Sequence, residues 1–450
     1  MNHKLSFQGR IAILSVLVAN LTSSCQKVAN PIAPGNLSTT QLAAQSSDYQ
    51  VQEDISTYKV VTSDNIGLIG DGIFNNTYTI NEFLRHANRT RLVFLPGVYV
   101  VDGLVVSSDY CALDGSGAEI KVSKSSTPLS VIDIAANNVY IKDFKIDGSN
   151  HPSLRFGVIV WKKQNVTVES ITSSNFKAQG VVLSSSSHCN VRKCVVSNCG
   201  SGVEAWGGDA RVSPGAGIRD IDIAECQITN SGEAGILGTN VDDIRIKYNS
   251  IDGAGDVGID LEGGTNFDVL GNKSKNCNYG SITLFYTCAS GLIRSNFVSV
   301  NNGKAGIRVT DYPSMPIHDV SIDGNIIDSD NSIGVLLDEA GSNHIKITNN
   351  SIKANAVYGI RSMSNNDCSV WDNKLDMKNC AVGISDEGGS NWIIQGNEVH
   401  TENDITQFPQ SVGISTHWSS YDFPASSNLI SRNKVTGFAD STTSYTGPSN

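Results

Sequence analysis

Apolar and polar residues alternate along most of this chain in short runs, and a glycine opens each of the clearest ones, as in Gly157-Val-Ile-Val, Gly258-Ile-Asp-Leu and Gly334-Val-Leu-Leu. Strict alternation predicts a β-strand with one face buried. Runs of this kind begin at Gly157, Gly180, Gly202, Gly235, Gly258, Gly280, Gly306, Gly334, Gly359, Gly383 and Gly413, at intervals of 22 to 33 residues. Such a period marks a solenoid. A second pattern, apolar-x-x-Asn-x-apolar, runs out of phase with the first and places Asn249, Asn296, Asn325, Asn350, Asn373, Asn397 and Asn433 at one slot, with Asn272 a weaker copy. Cys194 and Cys226 fill that slot in earlier periods. Stacked asparagines can hydrogen-bond along a stack and tolerate the left-handed backbone of a tight bend.

Each period thus holds at least two short strands and no room for an amphipathic helix, which excludes leucine-rich and helical-pair repeats. Strands that return once per turn are parallel, and stacking them about 4.8 Å apart predicts an all-β fold, a parallel β-helix filled by the apolar alternates. One helix is expected, as a cap: Thr79-Ile80-Asn81-Glu82 reads as a capping box before the stripe Ile80, Phe83, Leu84, Ala87.

The first residues carry a different signal. Lys4 and Arg10 precede an apolar segment from Ile11 to Ala19, and Leu21-Thr22-Ser23-Ser24-Cys25 follows. This predicts an export leader over 1–24 and resembles a bacterial lipobox, in which Cys25 is lipidated. The expected location is the cell surface or outer membrane, with secretion or a periplasmic location as the alternative. The remaining divisions are a tether at 25–58, a cap with the first coils at 59–130, the main coils at 131–435 and a loose tail at 436–450.

Composition narrows the partners. The 450 residues are 39% hydrophobic and 17% charged, which suits a large core and argues against disorder throughout. A net charge of −11, without basic runs, excludes nucleic acid and leaves a lipid anchor as the only route to a membrane. Ten cysteines minus a lipidated Cys25 is an odd number, so full pairing is impossible. No cysteine or histidine spacing matches a zinc site, and Cys189, Cys194 and Cys199 read as small buried residues.

Gly70-Asp71-Gly72, Asn75-Asn76-Thr77, the helix at Ile80, Val93-Phe94-Leu95-Pro96-Gly97-Val98-Tyr99, Leu113-Asp114-Gly115-Ser116-Gly117 and Ile141-Lys-Asp-Phe-Lys-Ile-Asp147-Gly148 form a known series. It resembles the N-terminal part of pectate-lyase-superfamily proteins, with Asn75-Asn76 in place of the usual Asp pair. With the coils, the resemblance covers about residues 60–435 and implies a right-handed, single-stranded parallel β-helix solenoid. Most relatives act on polysaccharides as lyases, hydrolases, uronate epimerases or phage tailspikes, so the resemblance implies a substrate class and no single reaction.

Two outward lanes follow from the strand pattern. The second residue after each glycine gives Ile159, Val182, Glu204, Leu237, Asp260, Thr283, Arg308, Leu336, Arg361, Ser385 and Ser415, with one residue of slip at Gly280. The fourth gives Trp161, Ser184, Trp206, Thr239, Glu262, Phe285, Thr310, Asp338, Met363, Glu387 and His417. Aromatic faces stack on sugar rings, acids bond hydroxyls or carry protons, and arginines grip carboxylates. Asp260, Glu262, Glu204 and Arg308 are therefore the candidate catalytic residues, with Trp206, Phe285, Tyr312, Asp338 and Arg361 as substrate-binding residues. Long intervals after Trp206, Asp311-Tyr312 and Glu387 are expected to wall a cleft.

Asp260 and Glu262 stand about 6.6 Å apart along one strand, and Glu204 about 9.6 Å from Asp260 across two coils. Both spacings are nearer the inverting than the retaining glycosidase range. A lyase would need Arg308 or a cation to neutralise a uronate, and Asp260, Glu262 and Asp338 could supply oxygen ligands for calcium; no other cofactor is implied. The catalytic motifs of polygalacturonases and mannuronan epimerases have no counterparts here beyond an acid at Glu204 and Asp260. The expected function is cleavage of an extracellular, uronate-containing polysaccharide by a lyase or hydrolase. The alternative is a non-catalytic glycan-binding or adhesion protein.

Overall fold

Every full turn of the chain makes three strands, one more than the minimum the sequence requires. In one turn these are Gln179–Ser184, Ser187–Arg192 and Val195–Ser197, after which Ser201–Trp206 begins the next. The computed structural model describes residues 54–149, 151–212, 217–310, 314–338, 341–417 and 427–444. The leader, Cys25, most of the tether and Tyr312 lie outside the described residues. All pairings are parallel and join equivalent strands of successive turns, giving two sheets of fifteen strands and one of fourteen. The fourteen-stranded sheet, called here the third sheet, holds every glycine-initiated strand.

Inside, identical slots stack. Val203, Ile236, Ile259, Ile282, Ile307, Val335, Ile360, Ile384 and Ile414 pair in register along the third sheet and are fully buried. Each removes roughly 1.5–3 kcal/mol worth of apolar side chain from water. The glycine that starts each strand is explained by close approach. A Cβ on Gly235 would lie 2.6 Å from the Gly258 carbonyl oxygen and 2.6 Å from Cγ2 of Ile251, an inward side chain of the strand Ser250–Asp252.

The asparagines form a continuous ladder from Asn249 to Asn433. The Asn325 side-chain amide donates to the Ile293 carbonyl and to Asn350 Oδ1, both at 2.9 Å, and its backbone N–H also donates to Asn350 Oδ1 at 2.9 Å. Asn272, the weak copy, is a full member, donating to Asn296 Oδ1 at 3.0 Å. The bend itself corrects the expectation: the left-handed residue precedes each asparagine. Tyr248, Ser295, Asn349, Asp372 and Arg432 have φ of 54–57°, and Gly271, Gly324 and Gly396 take the same place at 62–69°.

The capping helix spans Thr77–Leu84 and drives Ile80 and Leu84 into the core. Its N-cap falls on Asn76, three residues before the Thr79 predicted from the capping box, so Thr79 lies inside the helix. Asn76 holds the entry loop instead, exchanging 2.9 Å hydrogen bonds with the backbone N–H and carbonyl of Ile69. At the other end the coil outlasts residue 435. Asp440–Ser444, assigned from sequence to a loose tail, pairs with Val412–His417 as the last strand of the third sheet. All nine described cysteines are buried free thiols, Cys189, Cys194 and Cys199 among them. No described helix is long and apolar enough to cross a membrane.

A carboxyl is also buried inside this stack. Asp386 is fully buried at a slot that Ser362 and Thr416 occupy in the neighbouring turns. Gly389 N–H donates to its Oδ1 at 3.1 Å and Asn428 Nδ2 to its Oδ2 at 2.9 Å.

Candidate functional site

Both outward lanes run along the third sheet in the predicted order. Glu204 is in register with Leu237, Leu237 with Asp260, Asp260 with Thr283, Thr283 with Arg308, Arg308 with Leu336 and Leu336 with Arg361. Beside them run Trp206, Thr239, Glu262, Phe285, Thr310 and Asp338. The slip at Gly280 occurs where expected, with Gly280 opposite Val257. Glu204, Trp206, Asp260, Glu262, Phe285, Arg308, Asp338 and Arg361 thus share one flank, because strand alternation and parallel register leave them no other.

Burial separates the lanes. Glu204, Asp260 and Arg308 point away from the core yet are only 7%, 2% and 5% exposed. They form a floor, and the half-buried Trp206, Glu262, Phe285 and Asp338 stand beside it. The excursion after Trp206 packs beside the lanes, against the ends of later strands of the same sheet. Within it Arg211 grips Asp209 with two hydrogen bonds, at 2.8 and 2.6 Å. Ala210 is buried so tightly against Gly263 that a Cβ there would meet the alanine Cβ at 2.5 Å, and the Arg211 guanidinium lies 6.0 Å from the Tyr286 ring. The loop therefore reaches at least two turns past its own strand. By contrast, the extra length in the Gly383 to Gly413 period falls between Thr401 and Val412, before the next strand and not after Glu387.

The arginines are already engaged. Arg308 donates to Asp338 Oδ2 through Nε at 3.1 Å and through Nη2, and to the Tyr279 hydroxyl through Nη1 at 2.9 Å. Its guanidinium sits 5.0 Å from the Tyr279 ring and 5.7 Å from Phe285. Burial pushes the Asp338 carboxyl up, but the Arg308 charge and hydrogen bonds, with Lys304 at 3.4 Å, outweigh it and hold the acid below the usual range. Arg361 is bound to Glu387 in a fork, at 2.9 and 2.7 Å, over the Tyr358 ring. Arg308 thus differs from the free carboxylate clamp a lyase was expected to use: its charge is matched before any ligand arrives.

Calcium ligation by Asp260, Glu262 and Asp338 fails on distance. Asp338 stands three turns from Asp260, about 14 Å at the rung spacing, and no cluster of three acidic, histidine or cysteine side chains among the described residues is placed to hold a metal ion. The sequence reading missed Gln179, whose amide donates to Glu204 Oε2, and Tyr279 and Lys304, which complete the Arg308–Asp338 group. Gln179 and Tyr279 each directly precede a strand-initiating glycine, the one signal that could have flagged them.

The family described as "Right handed beta helix region" matches residues 96–213, 156–322 and 316–444. No curated protein matches significantly. Among solved structures, tailspike protein 3 of bacteriophage CBA120 is similar at 12% identity and a TM-score of 0.59, over 85% of this chain and 61% of its own. PfbA, a surface adhesin of Streptococcus pneumoniae, is similar at 14% identity and 0.54, over 76% and 90%. The Dettilon tailspike protein is similar at 15% identity and 0.51, over 80% and 69%. Each likeness carries the fold alone.

Proposed function

The chain belongs to the right-handed β-helix family, and from that premise we propose that its third-sheet flank binds an extended polysaccharide and cleaves it with the acids of the Glu204–Asp260–Glu262 group. The observation that carries this reading is three carboxylates within three successive rungs of the lanes, Glu204, Asp260 and Glu262, flanked by Trp206 and Phe285 and walled by the 207–212 loop. Half-buried aromatic faces beside acids of low solvent access suit a sugar ring and a proton donor or acceptor. Arg308, neutralised by Asp338, acts here as a rigid stacking and hydrogen-bonding platform for Phe285 and Tyr279, so hydrolysis by an acid and base pair is favoured over a lyase that needs a free cation. Export with a lipid on Cys25 would display this flank outside the cell.

The burial of Asp260 and Glu204 favours a second reading, a binding face without catalysis. One experiment separates the two. The full chain is offered a panel of 1,4-linked uronate and neutral polysaccharides, while binding, new reducing ends and ultraviolet-absorbing unsaturated ends are followed. Cleavage that falls about 100-fold in Asp260→Asn with binding retained supports the hydrolase, and Trp206→Ala is expected to weaken binding about tenfold. Binding with no cleavage by the wild type supports the second reading, and cleavage unchanged in Asp260→Asn removes that residue from the mechanism.

A further inference from the structure

We propose that Cys194 and Cys226 close as a disulfide bond between adjacent turns of the solenoid. The two residues occupy the ladder slot in consecutive turns, as shown by the pairing of the residues that follow them, Val195 with Gln227, and by the 2.8 Å hydrogen bond from Gln227 N–H to the Cys194 carbonyl. Their local geometry is the same. Each follows a left-handed residue, Lys193 or Glu225, and each thiol donates at 3.7 Å to the carbonyl one turn back, Val168 or Val191. The Cys194 thiol lies near enough to Cys226 to push that group well up.

One rung is about 4.8 Å between Cα atoms, inside the roughly 4.4–6.8 Å window that a disulfide spans. Lower in the stack the same slot is joined turn to turn by asparagine amides. Here a sulfur–sulfur bond would take over that role. The turn it fastens contains the longest interval between strand-initiating glycines, Gly202 to Gly235, and carries the 207–212 wall loop. Closing that excursion at its base is where a cross-link restricts the unfolded chain most usefully. Formation removes two protons and two electrons from the thiols and reduces a thiol–disulfide oxidant to its own two thiols. Both sulfurs are buried, so the exchange belongs to folding, before the turns close over them.

The full chain is refolded in a mixture of oxidised and reduced glutathione, denatured in N-ethylmaleimide and digested with trypsin. The expected product is a single cross-link between peptides 194–211 and 220–245, mapped by fragmentation to Cys194 and Cys226 and lost on reduction. Alkylation of all nine described cysteines, or a link through Cys199 instead, overturns the proposal. A second readout guards against misfolding of a variant. The wild-type melting midpoint should fall on adding reductant, whereas the Cys194→Ser, Cys226→Ser double variant should not respond, and an equal response in both would also overturn it.

Discussion

Asn325→Leu is expected to destabilise the fold by roughly 4–6 kcal/mol, read as a large drop in the denaturant midpoint with native-like circular dichroism below it. Leucine fits the space but satisfies none of the groups around it. Asn325 Oδ1 accepts from both the backbone N–H and the side-chain amide of Asn296, each at 2.9 Å, while its own amide serves Ile293 and Asn350. The variant orphans several fully buried donors and acceptors together, and each costs about 1–3 kcal/mol. Asn433→Leu offers the internal control. It sits at the last rung with partial exposure and a smaller set of partners, so its loss should be clearly smaller. Equal effects at the two positions would mean that the ladder acts as isolated contacts and not as a chain of shared groups.

Stability is expected to fall as pH rises from about 4 to about 7, the opposite of the usual trend for an acid held by cations. Burial pushes Asp386 up to about 7, with the Gly389 N–H and Asn428 bonds opposing and the Glu387 charge adding. An unfolded aspartate ionises near 3.8, so between those values the fold holds one proton more than the unfolded chain, and ∂ΔG/∂pH is negative. Above about pH 7 the loss is complete, at roughly 4 kcal/mol for this group. Asp133, raised by burial despite Lys163, contributes with the same sign. Asp338 and Asp220, both lowered, act below the window: their stabilisation is lost as pH falls beneath the ordinary aspartate range. Asp386→Thr, which copies Thr416 one turn on, should flatten the pH 4.5 to 7.5 dependence of the denaturation midpoint to well under half. A wild-type slope that survives this change would assign the effect elsewhere.

The register of the third sheet was legible in the sequence because one physical requirement fixes it: a glycine at each strand start, pressed closely against its neighbours, and an isoleucine or valine directly after it, or one residue later at Gly280. The slip at Gly280 could be read for the same reason, since the apolar alternation resets there. The third strand of each turn was not legible. Segments such as Val195–Ser197 and Gln227–Thr229 are three residues long, and one inward residue cannot display a period. Nor was the left-handed bend, because Tyr248, Glu225 and Arg432 are not residue types that announce it. For the candidate site, order along the lanes followed from alternation, whereas the capture of Arg308 by Asp338 depends on how the long arginine side chain leans across a rung. The same limit hid Gln179 and the Arg211–Asp209 clasp.

The in-register ladders also bear on how this molecule can change length. Because each turn presents its neighbours with the same columns of glycine, isoleucine and asparagine, a whole turn can be duplicated or removed between Asn350 and Asn433 with every adjoining group still meeting its own kind. Such an event lengthens or shortens the flank by about 4.8 Å and leaves the acids upstream undisturbed. Evolution can therefore adjust the length of polymer such a surface spans independently of the chemistry performed on it.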